Sequence, residues 1–256
     1  MAGASAADGD KATVRSVERA LDVLLCFAGH TGSLGVTQIA ERVGLYKSTV
    51  HRLLHTLESR GFVRRDGATE RYHLGERVLE LAASFPESAD LPASASPEME
   101  RLRDETGETV SLYIRDGLER VRIHKAEGRQ AVRRVVQLGE RMPLYVGASS
   151  KVLLAYAPDD VRQRVLAAGH LPPGFNRKKL EDQLGKVRQQ GFAVSIEERE
   201  AGTAAVAAPI IDRSGRIVAA LAVSGPAVRF TPEALARYGS LVRETCGRVA
   251  QRLGRM

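Results

Sequence analysis

Residues 36–65, VTQIAERVGLYKSTVHRLLHTLESRGFVRR, constrain the fold more than any other stretch of the chain. Ala40 is followed four positions later by Gly44, and Val50 comes six positions after that. Where two helices cross at a tight turn, a small residue admits the close approach. A glycine takes the φ > 0 conformation of the turn, and an apolar residue locks the second helix onto the first. Thr37 is placed to cap the first helix of the pair, with Ala40 and Val43 inward. The second helix opens at Lys47 or Ser48, turns Val50, Leu53, Leu54 and Leu57 inward, and ends at Gly61. Its start and outer face carry Lys47, Ser48, Thr49, His51 and Arg52, groups able to meet phosphates and base edges in a major groove. Two short extended runs, Phe62–Arg65 and Arg71–Leu74, flank Asp66-Gly67 and predict a β-hairpin. Arg64, Arg65 and Arg71 on that hairpin suit the adjacent DNA backbone, and Arg15 suits a phosphate or the minor groove.

Upstream, Val17, Ala20, Leu21, Leu24, Leu25 and Ala28 recur at helical spacing and predict one apolar stripe, broken by the glycines of 29–35. The formal charge of +7 agrees with a polyanionic partner without singling one out.

The expected organisation is a disordered tail over 1–12, a winged helix-turn-helix over 13–75, a linker helix and hinge over 76–97, and a second domain over 98–254. Within the linker, Glu76–Phe85 reads as a helix whose Val78, Leu79 and Leu81 help to pair DNA-binding domains. The run FPESADLPASASP, Phe85 to Pro97, reads as a boundary because of its three prolines. The second domain alternates differently. A helix is expected over Pro97–Thr106. A hairpin follows around Asp116-Gly117, with Val110, Leu112 and Ile114 before the turn and Val121 and Ile123 after it. A further strand is expected over Val132–Leu138. Helices are expected at Ser149–Tyr156, Asp159–Ala168 and Arg177–Gln190, strands at Phe192–Ile196, Val206–Ile211 and Ile217–Val223, and a last helix at Pro232–Leu253. This order predicts an α+β fold, an antiparallel sheet flanked by helices.

Several chemistries find no support in the residues. The two cysteines, Cys26 and Cys246, lie outside any CxxC pair, so neither a disulfide framework nor a zinc site is expected, and Cys246 reads as core. No secretory apolar segment follows Met1 and no run of eighteen apolar residues occurs, so a cytoplasmic protein without a membrane span is expected. His51 and His55 are four apart on one helix, but no third ligand and no HExxH accompany them; no metal and no cofactor are expected. The Ser-Lys look of Ala148-Ser149-Ser150-Lys151 is not SxxK, since alanine stands at 148. Glu197–Glu200, EERE, reads as a solvated loop.

RSVERALDVLLCF, VTQIAERVGLYKSTVHRLLHTLESRGFVRRD and YHLGERVLELA resemble the N-terminal domain of the IclR family of bacterial regulators. PLYVGASSKVLLAY and GFAVSIEEREAGTAAVAAPIIDRSGRIVAALAVSGP resemble its C-terminal half, in collinear order from Thr13 to Leu253. The resemblance implies a winged helix-turn-helix followed by a GAF-like effector-binding domain. It implies homodimers or homotetramers on palindromic or pseudo-palindromic operators in double-stranded DNA. It also implies a small organic or aromatic acid as effector, and repression more often than activation, of metabolic or catabolic genes. The effector site it implies is the helix start Gly147, Ala148, Ser149 together with Ser195, Ala205, Ala222 and Ser224. Relatives carry an acidic residue, a cysteine and two serines at the positions of Ser195, Ala205, Ala222 and Ser224, of which only Ser224 keeps its type. Ala205 and Ala222 predict a roomier, less polar pocket suited to a larger or more apolar effector such as an aromatic acid. Two other readings stand beside this one. The first is an enzyme carrying a DNA-binding domain, for which no nucleophile–base constellation is present. The second is a ligand-free DNA-binding protein whose C-terminal domain only oligomerises.

Overall fold

In the computed structural model, α1 (Arg15–Leu25), α2 (Val36–Val43), α3 (Lys47–Ser59), β1 (Val63–Arg65), β2 (Tyr72–Leu74) and α4 (Arg77–Ala83) belong to the first of two units, divided after Ser84. The structure describes residues 13–28, 32–83, 90–167, 169 and 171–253. The expected tail over 1–12, part of the glycine-rich break and the residues beyond Ala83 up to 89 lie outside that set.

Gly44 follows α2 at φ 63°, ψ 34°, a left-handed conformation that a β-carbon would strain, and it turns the chain into α3. Ala40 and Val50 are buried at the crossing with Val23, Phe27, Ile39, Leu54 and Leu57. A fully buried side chain of this kind contributes about 1.5–3 kcal/mol. The hairpin pairs β1 with β2 antiparallel, and Leu34 adds an isolated bridge to Tyr72. Its turn is fixed by Asp66, whose Oδ1 accepts from the Ala68 and Thr69 amides, each at 2.9 Å. Gly75 closes the wing because a β-carbon there would stand 2.1 Å from the Gly61 carbonyl oxygen.

Two expectations for this unit are corrected. α2 starts at Val36 rather than being capped by Thr37; the Gln38 side chain reaches back to accept from Gly35 N–H at 3.0 Å. The buried residue of α1 is Val23, with Ala20 and Leu24 beside it and Phe27 just past the helix end, whereas Val17, Leu21 and Leu25 are exposed. The apolar residues of α1 thus cover two faces, of which the core takes one.

The second unit contains α5 (Asp90–Thr106), β3 (Thr109–Asp116), β4 (Glu119–Ala126), β5 (Arg141–Pro143), α6 (Ala148–Ala155), α7 (Asp159–Leu166), α8 (Arg177–Gln190), β6 (Ala193–Ile196), β7 (Thr203–Ile211), β8 (Ile217–Pro226), a 3₁₀ turn at Ala227–Arg229 and α9 (Pro232–Leu253). Its six strands form one sheet in the order β5-β4-β3-β8-β7-β6, with every pairing antiparallel. The period of two along each strand divides two cores. Ala204, Val206, Ala208 and Ile210 of β7 and Ala219, Leu221 and Val223 of β8 pack with α5 and α9. Ala207 of β7 and Ala220 and Ala222 of β8 pack on the other face with α6 and α8. Alanine at these positions lets α6 lie close to the sheet, and all eight residues of α6 are buried.

α5 begins at Asp90, so much of the stretch expected as a boundary is helix, with Pro97 inside it. Pro97 removes one helical hydrogen bond and crowds the preceding turn. Leu91, Ala95, Met99 and Leu102 fall on one face and are buried, and that burial outweighs the proline. The strand expected over Val132–Leu138 is absent; the carbonyls of Val132, Arg134, Val136 and Gln137 accept from the side chains of Arg229, Thr109, Lys125 and Arg122 instead of from a ladder. α7 ends at Leu166, and Ala168 lies outside the described residues. Among the described residues no helix is long and apolar enough to cross a membrane.

Candidate functional site

In the first unit, α3 turns Val50, Leu54 and Leu57 inward, which leaves Lys47, Ser48, His51 and Arg52 exposed and Thr49 half-buried. Lys47, Ser48, His51 and Arg52 share one face by helical spacing. Tyr46, immediately before the helix, is exposed as well, a residue the motif reading passed over. Arg15 is exposed at the start of α1, and Arg15, Thr49 and Arg52 line one groove between α1 and α3. Arg64 is exposed on β1, while Arg65 pairs with Glu70.

Arg71 is placed differently from the expectation of a backbone contact. Its Nε donates to Ser33 Oγ at 2.8 Å, and Nη2 donates to Ser33 O at 2.7 Å and to Gln38 Oε1 at 2.8 Å. Much of its hydrogen-bonding capacity is spent tying the wing to the start of α2. Among the described residues no group of three or more His, Cys, Asp or Glu side chains could hold a metal ion.

In the second unit, Gly147, Ala148, Ser149, Ser195, Ala205, Ala222 and Ser224 line one cavity. They come from four elements: the start of α6, β6, β7 and β8. Ser195 faces Ala205 across β6 and β7, and Ala205 faces Ser224 across β7 and β8, so register alone brings three of them into a row. Gly147 takes φ 92°, and a β-carbon on it would approach Arg120 Nη2 to 3.1 Å.

Where its alanines predict a roomy and weakly polar cavity, the structure has a small and charged one. It measures about 50 Å³, and Arg120, Arg122, Arg134 and Arg199 share its lining with Tyr113. Arg120 and Arg122 of β4 line the cavity together with Ala205 and Ala222. Arg122 donates to the Tyr113 hydroxyl from Nε at 3.0 Å and from Nη2 at 2.7 Å, and pairs with Glu140. Arg120 donates to Ser149 Oγ, contacts Met142 Sδ at 3.2 Å and lies over the Tyr113 ring, 4.9 Å from its centre. Burial disfavours the charge on Arg120, and the neighbouring Arg122 adds to that.

Sequence reasoning missed both arginines for one reason. The alternation of Val121 and Ile123 predicts the strand without saying which of its faces is buried, and so singles out neither Arg120 nor Arg122. The sheet is covered on both faces, and the arginines are the more buried pair, 5% and 1% exposed. The EERE run is not merely solvated either. Glu198 pairs with Lys151 of α6 and accepts from Gly147 N–H at 3.2 Å, Arg199 pairs with Glu140 at 2.9 Å, and Glu200 pairs with Arg134 at 2.9 Å.

The family model for the bacterial transcriptional regulator IclR C-terminal domain matches residues 84–251, and that for the IclR helix-turn-helix domain matches residues 16–67. The chain belongs to the IclR family of transcriptional regulators. This IclR-family chain is 33% identical to the HTH-type transcriptional regulator KdgR of Escherichia coli strain K12 over 255 residues, 97% of each protein. It is 31% identical to the HTH-type transcriptional repressor AllR of Klebsiella pneumoniae over 249 residues, 94% of this chain and 90% of AllR. Among solved structures it resembles an IclR homolog from Microbacterium hydrocarbonoxydans complexed with 4-hydroxybenzoate. There the TM-score is 0.80 and the identity 25%, over 93% of this chain and 98% of that one. The winged helix-turn-helix and the antiparallel sheet with its helices are the two domains of an IclR-family regulator, a protein that binds DNA and a small-molecule effector.

Proposed function

We propose that this IclR-family regulator is a repressor of metabolic or catabolic genes whose hold on its operator is set by a small organic acid in the cavity at the start of α6. The observation that carries this reading is the convergence of Gly147, Ala148, Ser149, Ser195, Ala205, Ala222 and Ser224 on one arginine-lined cavity. The amino end of a helix favours an anionic group, and so does a buried guanidinium. The homolog complexed with 4-hydroxybenzoate supports an acid as ligand, and the name of AllR supports repression.

DNA contacts fall to Lys47, Ser48, Thr49, His51 and Arg52 in the major groove, with Arg15 and Arg64 on the backbone or in the minor groove. One winged domain reads few base pairs, so useful affinity needs two half-sites and hence a homodimer or homotetramer on a palindromic or pseudo-palindromic operator. α4 offers exposed Leu79 and Leu81 for that pairing, with Val78 half-buried beside them. The protein acts where the DNA is, in the cytoplasm, and turns over no substrate. Buried arginines around a cavity support a ligand-binding second domain over one that only oligomerises.

The test is a metabolite screen by thermal shift on the full-length protein, followed by operator titration with each hit. An acid that raises the melting temperature and weakens operator binding supports the reading. A screen in which no metabolite changes either quantity contradicts it.

A further inference from the structure

The cavity and its mouth carry more positive charge than their own carboxylates neutralise. Arg122, Arg134 and Arg199 are joined in one ladder by two carboxylates. Glu140 pairs with Arg122 and Arg199, and Glu200 pairs with Arg134 at 2.9 Å and Arg199 at 3.7 Å. Lys151 and Glu198 close separately. Arg120 meets no carboxylate within ion-pair distance among the described residues. Five cations against three carboxylates leave a surplus of two positive charges, one on Arg120 and one spread over the ladder.

Arg120 is 5% exposed, and its Nε has no hydrogen-bond partner. Its other contacts are a hydroxyl, a thioether and an aromatic face, none of which carries a negative charge. Arg199 Nη1 touches the same Met142 sulfur at 2.7 Å, so two like charges abut one thioether. A guanidinium does not relieve such a position by deprotonating. Burying it without a counter-charge is costly, and an anion brought from outside removes the cost.

We propose that the cavity is built for a short dicarboxylate, with one carboxylate against Arg120 and the amino end of α6 and the other against Arg199 and the arginine ladder. The inference rests on the regulatory reading above and narrows its ligand. Two surplus charges at two places call for two separated anionic groups, which a dicarboxylate supplies and a monocarboxylate of equal length does not. A cavity of about 50 Å³ favours a short ligand over a long one. Gly147 is what allows the backbone to come up against Arg120, since any larger residue there crowds the guanidinium.

The experiment is titration calorimetry on the full-length protein with malonate, succinate, propionate, butyrate, inorganic phosphate and 4-hydroxybenzoate, repeated on Arg120→Gln and Arg120→Met. Malonate or succinate should bind at least about tenfold more tightly than the monocarboxylate of the same length. Both variants should lose at least about tenfold of that affinity. Without ligand, both should melt no lower than wild type, since they remove an uncompensated buried charge; a purely structural arginine would show the reverse. Propionate, butyrate, phosphate or 4-hydroxybenzoate binding as tightly as the dicarboxylates would overturn the inference, and so would wild-type dicarboxylate affinity in both variants. Operator titration separates the two claims. A monocarboxylate that releases the operator where dicarboxylates fail overturns the ligand class and leaves the regulatory reading standing, whereas operator binding indifferent to every acid overturns both.

Discussion

Lys151 and Glu198 form an ion pair between the middle of α6 and the loop after β6, and the second Glu198 oxygen accepts from Gly147 N–H at the start of that helix. Lys151 also donates to Val194 O at 3.1 Å. One carboxylate therefore satisfies a buried ammonium and caps the helix that borders the cavity. Burial pushes the Lys151 ammonium below its ordinary range, and Glu198 opposes that shift. Removing Glu198 leaves the ammonium, 2% exposed, without a charge partner. Glu198→Ala should lose about 3 kcal/mol of stability at neutral pH, and Lys151→Met in the same chain should recover much of it. A lowered lysine pKa means that the folded state prefers the neutral amine. The contribution of this group is thus full above its ordinary value of 10.5 and declines as pH falls through the lowered folded value. The deficit of Glu198→Ala should shrink as pH is raised toward that value. Denaturant titrations at neutral and alkaline pH check both points, and a deficit independent of pH would contradict them.

Arg71 and Arg52 should separate stability from recognition. Arg71 binds Ser33 and Gln38 within the first unit, so Arg71→Ala should lower the unit's melting temperature, by a loss of about 1–3 kcal/mol. Arg52 is exposed on the outer face of α3. Arg52→Ala should leave the melting temperature in place and cost about 1–3 kcal/mol of operator affinity, with looser preference at one base pair, if it reads a guanine. Differential scanning calorimetry and operator titrations on both variants decide this. Equal melting of wild type and Arg71→Ala would return Arg71 to the phosphate-contacting set.

Cys246 lies in α9 against the sheet, with its thiol 3.4 Å from Ala208 O, and burial pushes its pKa up to about 12. A raised pKa gives stability that is complete below the ordinary value of 9.0 and is lost as pH climbs toward the folded value. At most about 4 kcal/mol is at stake over that window. Alkaline unfolding of wild type should be steeper between these limits than that of Cys246→Ala. The thiol should also react with a maleimide only after unfolding. Rapid labelling of native protein at this cysteine would contradict the burial.

Parts of this architecture were legible because local chemistry and tertiary packing agree there. Ala40, Gly44 and Val50 specify a crossing by size and conformation alone, and α8 runs from its Asn176 cap to the left-handed Gly191 where periodicity placed it. The misreadings come from tertiary context. Pro97 is a helix breaker in isolation, yet α5 continues through it because Leu91, Ala95, Met99 and Leu102 share a buried face. Arg120 and Arg122 alternate with Val121 and Ile123, and alternation alone does not say which face of β4 is wet when both are covered. The cavity could be assembled from family resemblance to α6, β6, β7 and β8, but nothing in the alternation of β4 marks the arginines that supply its charge.

The central claim is that ligand in this cavity controls DNA binding, and one titration tests it most directly. Operator affinity is measured for wild type and Ala222→Phe, with and without the acid that binds most tightly in the calorimetric panel. Ala222 lines the cavity from β8, and a phenyl ring there fills the ligand's space at a packing cost of about 1–3 kcal/mol. An effector acts only through differential affinity for two states, and such coupling amounts to about 1–3 kcal/mol, roughly 5–150-fold in operator affinity. The account predicts a shift of that size in wild type, and a variant that binds the operator without ligand and does not respond when ligand is added. A variant that keeps the full wild-type response would contradict it.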